Sequence, residues 1–182
     1  MVTASDHELA LRARNGDTEA FGELVRRYQT SVFNVCYRLL GERREAEDLA
    51  QEAFIRAYQR FALYDPNRPF GPWMRRVAAN LCLNHMQINS IAHMSIDDER
   101  DEPAIPGHAS PEKLQEQAES LAALRMALLS LPAHYRAVVE LRHFQEMSYA
   151  EIAHWLKIPL SDVKSHLFRA RQLLAKKLKA YG

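Results

Sequence analysis

The sequence predicts an all-α protein of two helical domains joined by an acidic linker, and three observations carry that prediction. Apolar residues recur three and four apart through most of the chain, the spacing of a single helix face. Only six glycines and eight prolines interrupt 182 residues. From Ser90 to Ala109, large apolar residues give way to Asp97, Asp98, Glu99, Asp101, Glu102, Pro103, Pro106 and Gly107, a composition that does not build a packed core. The expected organisation is a first domain over 1–89, a linker over 90–111 and a second domain over 112–182.

The first helix is announced by Ser5-Asp6-His7-Glu8, a capping box in which a serine oxygen and a glutamate three residues on satisfy free backbone N–H groups; it is expected to run to about Asn15. After Asn15-Gly16-Asp17, an apolar stripe from Ala20 and Phe21 through Val35, Cys36, Leu39 and Leu40 marks a long amphipathic helix stopped at Gly41. A third helix is expected from about Arg44 to Phe61, acidic at its start and basic at its end as the helix dipole prefers. Asp65-Pro66-Asn67 and Pro69 break the chain before a fourth, from about Gly71 to Asn89, with Trp73, Val77, Leu81 and Ile88 on one side. In the second half, Ser110-Pro111-Glu112 opens a helix, Pro132 opens another through about Phe144, and Ser148-Tyr149-Ala150-Glu151 is a second capping box. The turn Lys157-Ile158-Pro159-Leu160 follows, and Ser161 is expected to cap a last helix to about Lys179.

Charge is zoned. Residues 1–89 hold 12 basic and 11 acidic residues, 90–120 hold 2 and 8, and 121–182 hold 10 and 4, so a formal net charge of +1 conceals zones of +1, −6 and +6. The basic end attracts polyanions and the acidic middle repels them, which makes nucleic acid the leading partner. A large single-core enzyme, a disordered tail and a membrane protein do not fit this length and composition; no apolar run nears the roughly 18 residues a bilayer span needs. The polar start, Met1–Glu8, is unlike an export signal, so a cytoplasmic location is expected. Cys36 and Cys82 sit in apolar stretches without ligand spacing, and the eight histidines form no metal motif; buried free thiols, no metal and no cofactor are expected. No nucleophile motif or glycine-rich phosphate loop suggests catalysis.

Two constellations point to DNA. A short capped helix, a tight turn and a longer basic helix form the helix-turn-helix pattern. On the last helix Val163, Leu167, Ala170 and Leu174 share one arc, while Lys164, Ser165, Phe168, Arg169 and Gln172 lie opposite, joining cations, hydrogen-bonding groups and an aromatic as major-groove readers do. Arg171, on the edge of the apolar arc, and Lys176, Lys177 and Lys179 suit phosphate contacts. The plainer alternative is a solvated basic face on a packing helix. Earlier in the chain, Tyr58, Phe61, Tyr64, Phe70 and Trp73 alternate with Arg56, Arg60, Arg68, Arg75 and Arg76, the mixture of stacking faces and cations that single-stranded DNA binding uses. Aromatics at helical spacing are also core residues, and Phe61 and Trp73 taken alone read that way. Asn80 and Asn84, one turn apart, suit hydrogen bonds to an extruded base edge or simply a polar surface. Asp48, Gln51 and Glu52 form a polar patch beside Leu49 and Phe54, a docking surface for a basic partner or a solvated face.

Taken together, Asp48-Leu49-Ala50-Gln51-Glu52-Ala53-Phe54, Phe70-x-x-Trp73-Met74-x-x-Val77-Ala78-x-Asn80, Leu131-Pro132, Ser148-Tyr149-x-Glu151-Ile152-Ala153 and Val163-Lys164-Ser165-x-Leu167-x-Arg169-Ala170-Arg171 resemble the extracytoplasmic function group of sigma-70 family factors. The resemblance covers about Asp6–Asn89 and Glu112–Lys179, with the motifs in family order. It implies a transcription initiation factor that binds core RNA polymerase, on the β′ coiled coil and the β subunit, and directs it to promoters. Asp48, Leu49, Gln51 and Glu52 would carry docking. Phe61, Tyr64, Arg68, Phe70, Trp73, Arg76, Asn80 and Asn84 would capture the melted minus 10 element. Lys164, Ser165, Phe168, Arg169, Arg171 and Gln172 would read minus 35 duplex DNA. The acidic linker would thread the core enzyme toward the RNA exit path, an anti-sigma factor is an implied partner, and the protein would act as a monomer on polymerase, without membrane insertion. The chain has Asn84 and Gln87 where the family often has Asp and Arg, and Ser161-Asp162 where it often has Gly-Thr. The alternative from another class is a stand-alone helix-turn-helix regulator, which would bind duplex DNA without polymerase.

Overall fold

The computed structural model describes the backbone of residues 4–92 and 112–179, and side chains within 4–86 and 118–179. Among the described residues all regular structure is helical, and the chain divides into two compact units at Met86/Gln87. Residues 93–111, which hold most of the expected linker and the Ser110-Pro111 helix start, lie outside the described residues.

In the first unit, α1 (Asp6–Arg14) begins with the expected box: the Glu8 amide donates to Ser5 Oγ at 3.2 Å and the Ser5 amide to Glu8 Oε2 at 2.8 Å. α2 (Thr18–Leu40) is capped by Asp17, which accepts from the Ala20 amide at 3.0 Å, and it stops at Gly41, whose φ of 80° is the left-handed cap expected of glycine. Leu24, Val32, Val35, Cys36 and Leu39 on α2 are fully buried, as the apolar stripe requires. α3 (Arg43–Gln59) turns Ala46, Ala50, Ala53, Phe54 and Ala57 inward. It ends two residues before the expected Phe61, because a 3₁₀ turn over Phe61–Leu63 breaks the α pitch and drives Phe61 into the core. α4 (Phe70–Ala92) buries Phe70, Met74, Ala78, Leu81 and Cys82. That stripe is rotated from the expected one, with Trp73 and Val77 only half-buried and the Ile88 side chain outside the described set.

The second unit starts with α5 (Glu112–Leu129). The expected single helix from Pro132 to Phe144 is instead α6 (Ala133–Val139) followed by a π turn over Glu140–Phe144. The Gln145 amide donates back to the Glu140 carbonyl at 3.0 Å, the five-residue bond that defines the widening, and the Gln145 side chain donates to Glu140 Oε1 at 3.0 Å. A buried carboxylate thereby gains an amide partner that an α-helical continuation would hold elsewhere. α7 (Tyr149–Leu156) has its capping box, Glu151 amide to Ser148 Oγ at 3.2 Å and Ser148 amide to Glu151 Oε2 at 2.7 Å. It ends on Lys157 at φ 55°. α8 (Leu160–Lys179) begins earlier than expected: the Asp162 and Val163 amides donate to the Pro159 carbonyl, at 3.0 and 3.2 Å. Ser161 is inside the first turn and does not cap it.

Candidate nucleic-acid interface and docking face

The aromatic constellation of the first unit is mostly interior. Phe61, Tyr64 and Phe70 are 3%, 3% and 2% exposed. Phe61 lies 5.2 Å from Phe21, 5.1 Å from Tyr64 and 6.0 Å from Trp73, while Tyr28 lies 5.2 Å from Phe70. The Phe61–Tyr64 pair is stacked and the others are tilted or edge-to-face, all favourable geometries of packed rings. The Tyr64 hydroxyl donates to the Arg68 carbonyl, and burial holds its pKa above the usual tyrosine value, with Asp65 and Asp6 adding to the rise. The faces of Phe61, Tyr64 and Phe70, expected to take part in capturing the melted strand, are occupied by one another in this structure. Trp73, half-buried and 4.6 Å from Tyr64, is the ring at the edge of the cluster.

The polar residues of the same region are outward. Arg68 is exposed in the loop before α4, with Asp65 3.8 Å away, and Arg76 is half-buried one turn beyond Trp73. Asn80 and Asn84 are both exposed, one turn apart on α4. The loop itself is tied down from α1, where His7 Nδ1 stands 2.9 Å from the Pro66 carbonyl. Trp73, Arg76, Asn80 and Asn84 thus follow one another along a helix whose opposite face is core.

On α3, Asp48 and Gln51 are exposed on the side away from the alanine face packed on α2, and Leu49 and Glu52 are half-buried at its flank. Glu52 accepts from Arg56 Nε at 2.7 Å, an exposed i, i+4 pair of small energetic value. Ile55, absent from the residues expected here, is 52% exposed and sits one turn past Gln51. Its signal was present in the sequence, seven residues after Asp48 and hence on the same face, but an isoleucine in a helix reads first as core. Leu63, in the 3₁₀ turn, is 85% exposed.

The second unit presents the helix-turn-helix. Val163, Leu167 and Ala170 of α8 are buried and Leu174 half-buried, against Ile152 of α7 and the core of α6. The opposite face carries Lys164, Phe168, Arg169 and Gln172 exposed and Ser165 half-buried, and Arg171 is exposed beside it. No carboxylate among the described residues pairs with Lys164 or Arg169. Arg142 steadies the entry to α7, donating to the Met147 carbonyl at 2.9 Å with its guanidinium 5.1 Å from the Tyr149 ring centre. Behind α8, His166 packs 5.1 Å from His134 and 5.4 Å from Tyr135. Burial, and secondarily His166, hold the His134 pKa below the usual histidine value. Cys36 and Cys82 are buried and form no disulfide, and among the described residues no cluster of metal ligands occurs and no helix is long and apolar enough to cross a membrane.

The two units correspond to two known regions. Sigma-70 region 2 matches residues 24–90, and Sigma-70 region 4 matches residues 121–174. The chain is 33% identical to the ECF RNA polymerase sigma factor SigW of Bacillus subtilis, over 92% of this chain and 94% of that one. It is 31% identical to the RNA polymerase sigma-H factor of Pseudomonas aeruginosa, over 98% and 96%. A solved structure of the sigma factor RpoE of Bartonella quintana, in complex with the anti-sigma factor NepR, shares the fold with a TM-score of 0.59 at 20% identity, over 87% of this chain and 96% of that one. The chain belongs to the extracytoplasmic function sigma factors of the sigma-70 family, the factors that direct RNA polymerase to promoters.

Proposed function

We propose that the two units divide promoter recognition between them, with α8 reading duplex DNA at the minus 35 element and the first unit docking on core polymerase and holding the melted minus 10 strand. The observation that carries this reading is the segregation of α8: Val163, Leu167 and Ala170 are buried, and the outward face offers cations that pair with no carboxylate among the described residues, hydrogen-bonding side chains and an exposed ring. Lys164, Arg169 and Gln172 are the side chains whose length and donors suit base edges and adjacent phosphates. Arg171, Lys176, Lys177 and Lys179 supply sequence-independent affinity.

In the first unit the proposed strand contacts are Trp73 as a stacking edge, Arg68 and Arg76 for phosphates, and Asn80 and Asn84 for base edges. The buried Phe61, Tyr64 and Phe70 support this row from below. Melting is then a binding event: extruding a base costs a few kcal/mol of stacking, and contacts made only to the open strand offset it. Asp48, Leu49, Gln51 and Glu52 form the proposed polymerase contact on the β′ coiled coil, with the second unit on the β subunit. The linker beyond residue 92 is proposed to pass through the core enzyme, where its negative charge keeps it from the template. An anti-sigma factor covering the α3 face is proposed on family grounds. A stand-alone regulator leaves the region 2 match without a role.

The test is transcription in vitro with sigma-free core polymerase. Lys164→Ala and Arg169→Ala should lose dependence on the upstream element yet bind core normally, whereas Gln51→Ala with Glu52→Ala should lose core binding. Loss of core binding in the first pair would make α8 structural, and unchanged core affinity in the second would remove the docking assignment.

A further inference from the structure

The loop between the 3₁₀ turn and α4 is held from outside itself. Pro66 is buried, while Asp65, Asn67 and Arg68 around it are exposed. Within the loop, the Asn67 amide donates to Asp65 Oδ1 and the Arg68 amide to the Asp65 carbonyl, each at 3.0 Å. The carbonyls of Arg68 and Pro66 accept instead from side chains beyond the loop, the first from the Tyr64 hydroxyl and the second from His7, 59 residues earlier in the chain.

His7 Nδ1 stands 2.9 Å from the Pro66 carbonyl. A carbonyl only accepts, so the proton is on Nδ1 and His7 donates. Beside His7 in the first turn of α1, Asp6 accepts from the hydroxyl of Tyr28, and the Tyr28 ring lies 5.2 Å from Phe70 at the far end of the same loop. Two adjacent side chains of α1 therefore brace both ends of the segment 66–70. His7 is itself exposed, and the buried residues of α1 are Leu9, Ala10 and Ala13, so its ring is not a core contact. Its effect is on the loop: order already present in the free protein need not be created when a ligand binds.

We propose that His7 is a positioning residue for strand capture, which by donating to the Pro66 carbonyl fixes the pose in which the loop presents Arg68 before the melted strand arrives. The inference rests on the assignment of the strand contacts to the first unit, and it adds a residue of α1, outside that row, on which they depend.

Two uncharged variants separate the bond from the side chain's bulk. His7→Leu removes the donor, whereas His7→Asn keeps one, because the amide nitrogen of asparagine is bonded to Cγ as Nδ1 is in histidine. The probe is a fork template from a promoter located by mapping transcript 5′ ends, with its non-template strand single-stranded across the minus 10 element. Holoenzyme assembled from core polymerase and the full chain carrying His7→Leu should bind this fork about three- to tenfold more weakly, the range that one hydrogen bond commands. His7→Asn should recover most of that loss. In the full chain without DNA, hydrogen exchange at the Asn67 and Arg68 amides should be severalfold faster in His7→Leu and unchanged across α2 and α3. Core polymerase affinity, which the same unit carries through α3, should not change in either variant.

Fork binding by His7→Leu equal to that of the unmodified protein overturns the proposal. So does a defect in His7→Asn as large as that in His7→Leu, because donation would then not be the operative bond. Weaker fork binding with unchanged exchange at Asn67 and Arg68 overturns it in favour of a direct contact between His7 and DNA. Core affinity that falls in step with fork affinity overturns it in favour of a brace for the whole unit. Failure of the underlying assignment reads differently: Arg68→Ala and Asn80→Ala would then also leave fork binding unaltered.

Discussion

Gly71 and Tyr28 are packed so closely that a β-carbon at position 71 would stand 2.5 Å from Cε1 of the Tyr28 ring. The phenol is fixed from its far end, its hydroxyl donating to the Asp6 carboxylate, which Arg27 also engages at 2.8 Å. The ring cannot swing away without giving up that bond, so the first turn of α4 is seated directly on α2. Gly71→Ala is expected to destabilise the protein by about 1–3 kcal/mol, the usual cost of overpacking a close contact. Urea unfolding followed at Trp73 measures it, and a change under about 0.5 kcal/mol would show that Tyr28 yields freely.

Ile55 extends the α3 face past Gln51. Ile55→Glu is expected to leave the unfolding midpoint within experimental scatter, because half of the side chain is already in water, and to weaken core polymerase binding at least tenfold if the apolar group is desolvated on docking. Titration of labelled protein with core enzyme measures this. Equal affinity of the variant would place the contact on the Asp48 end of the helix alone.

Lys176 and Lys177, in the last turns of α8, are exposed beyond the buried arc. Neutralising both is expected to reduce the slope of log K against log salt for duplex binding by up to about 2, and to leave the mapped start sites unchanged. A change of start sites would mean that these lysines take part in base choice.

The capping box of α7 is expected to matter through α8. Ser148→Ala leaves the Glu151 amide without its acceptor and should cost about 1 kcal/mol. Duplex binding should fall with stability, while polymerase docking by α3, in the other unit, should not change.

His134 gives the second unit an acid sensitivity with a definite sign. Its folded pKa lies below the ordinary histidine value of 6.5, first through burial and then through His166; His143 is shifted the same way by burial, Arg171 and Arg142. A base with a depressed folded pKa takes up its proton more readily in the unfolded chain. Its contribution to stability is therefore complete above about pH 6.5 and is lost as the pH falls below that value. In a Trp73→Phe background, Trp155 fluorescence should show a lower urea midpoint near pH 5.5 than near pH 7.5, and His134→Gln should flatten the dependence. A midpoint that rises on acidification would contradict the assignment.

The caps at Ser5, Asp17, Gly41 and Ser148 were legible in the sequence because each is a bargain between residues three or four apart. The 3₁₀ turn at Phe61 and the π turn at Glu140 were not. The first depends on partners that the fold brings together, Phe21 and Trp73, and the second on a five-residue bond from Gln145 that competes with the ordinary α-helical spacing. The start of α8 was misplaced for a related reason: Ser161 is a good capping residue, but the Pro159 carbonyl takes the first amides before it can act. The outer face of α8 was readable since charge and apolarity separate cleanly around that helix. The aromatic segment was ambiguous because a ring that stacks on a base and a ring that fills a core have the same composition, and only burial divides Trp73 from Phe61, Tyr64 and Phe70.

The clean division of α8 into a buried and an outward face separates two kinds of heredity in one helix. Positions 163, 167 and 170 answer to the fold, and a change there is felt as lost stability whatever DNA is present. Positions 164, 168, 169 and 172 lie off that buried arc and, on the proposed reading, answer to the promoter. Duplicated copies of this gene can drift at those outward sites, acquiring new sets of target promoters one substitution at a time, without any copy passing through an unfolded intermediate. The buried rings of the first unit grant no such freedom, so divergence among copies should gather at the proposed upstream reader and leave Phe61, Tyr64 and Phe70 nearly unaltered.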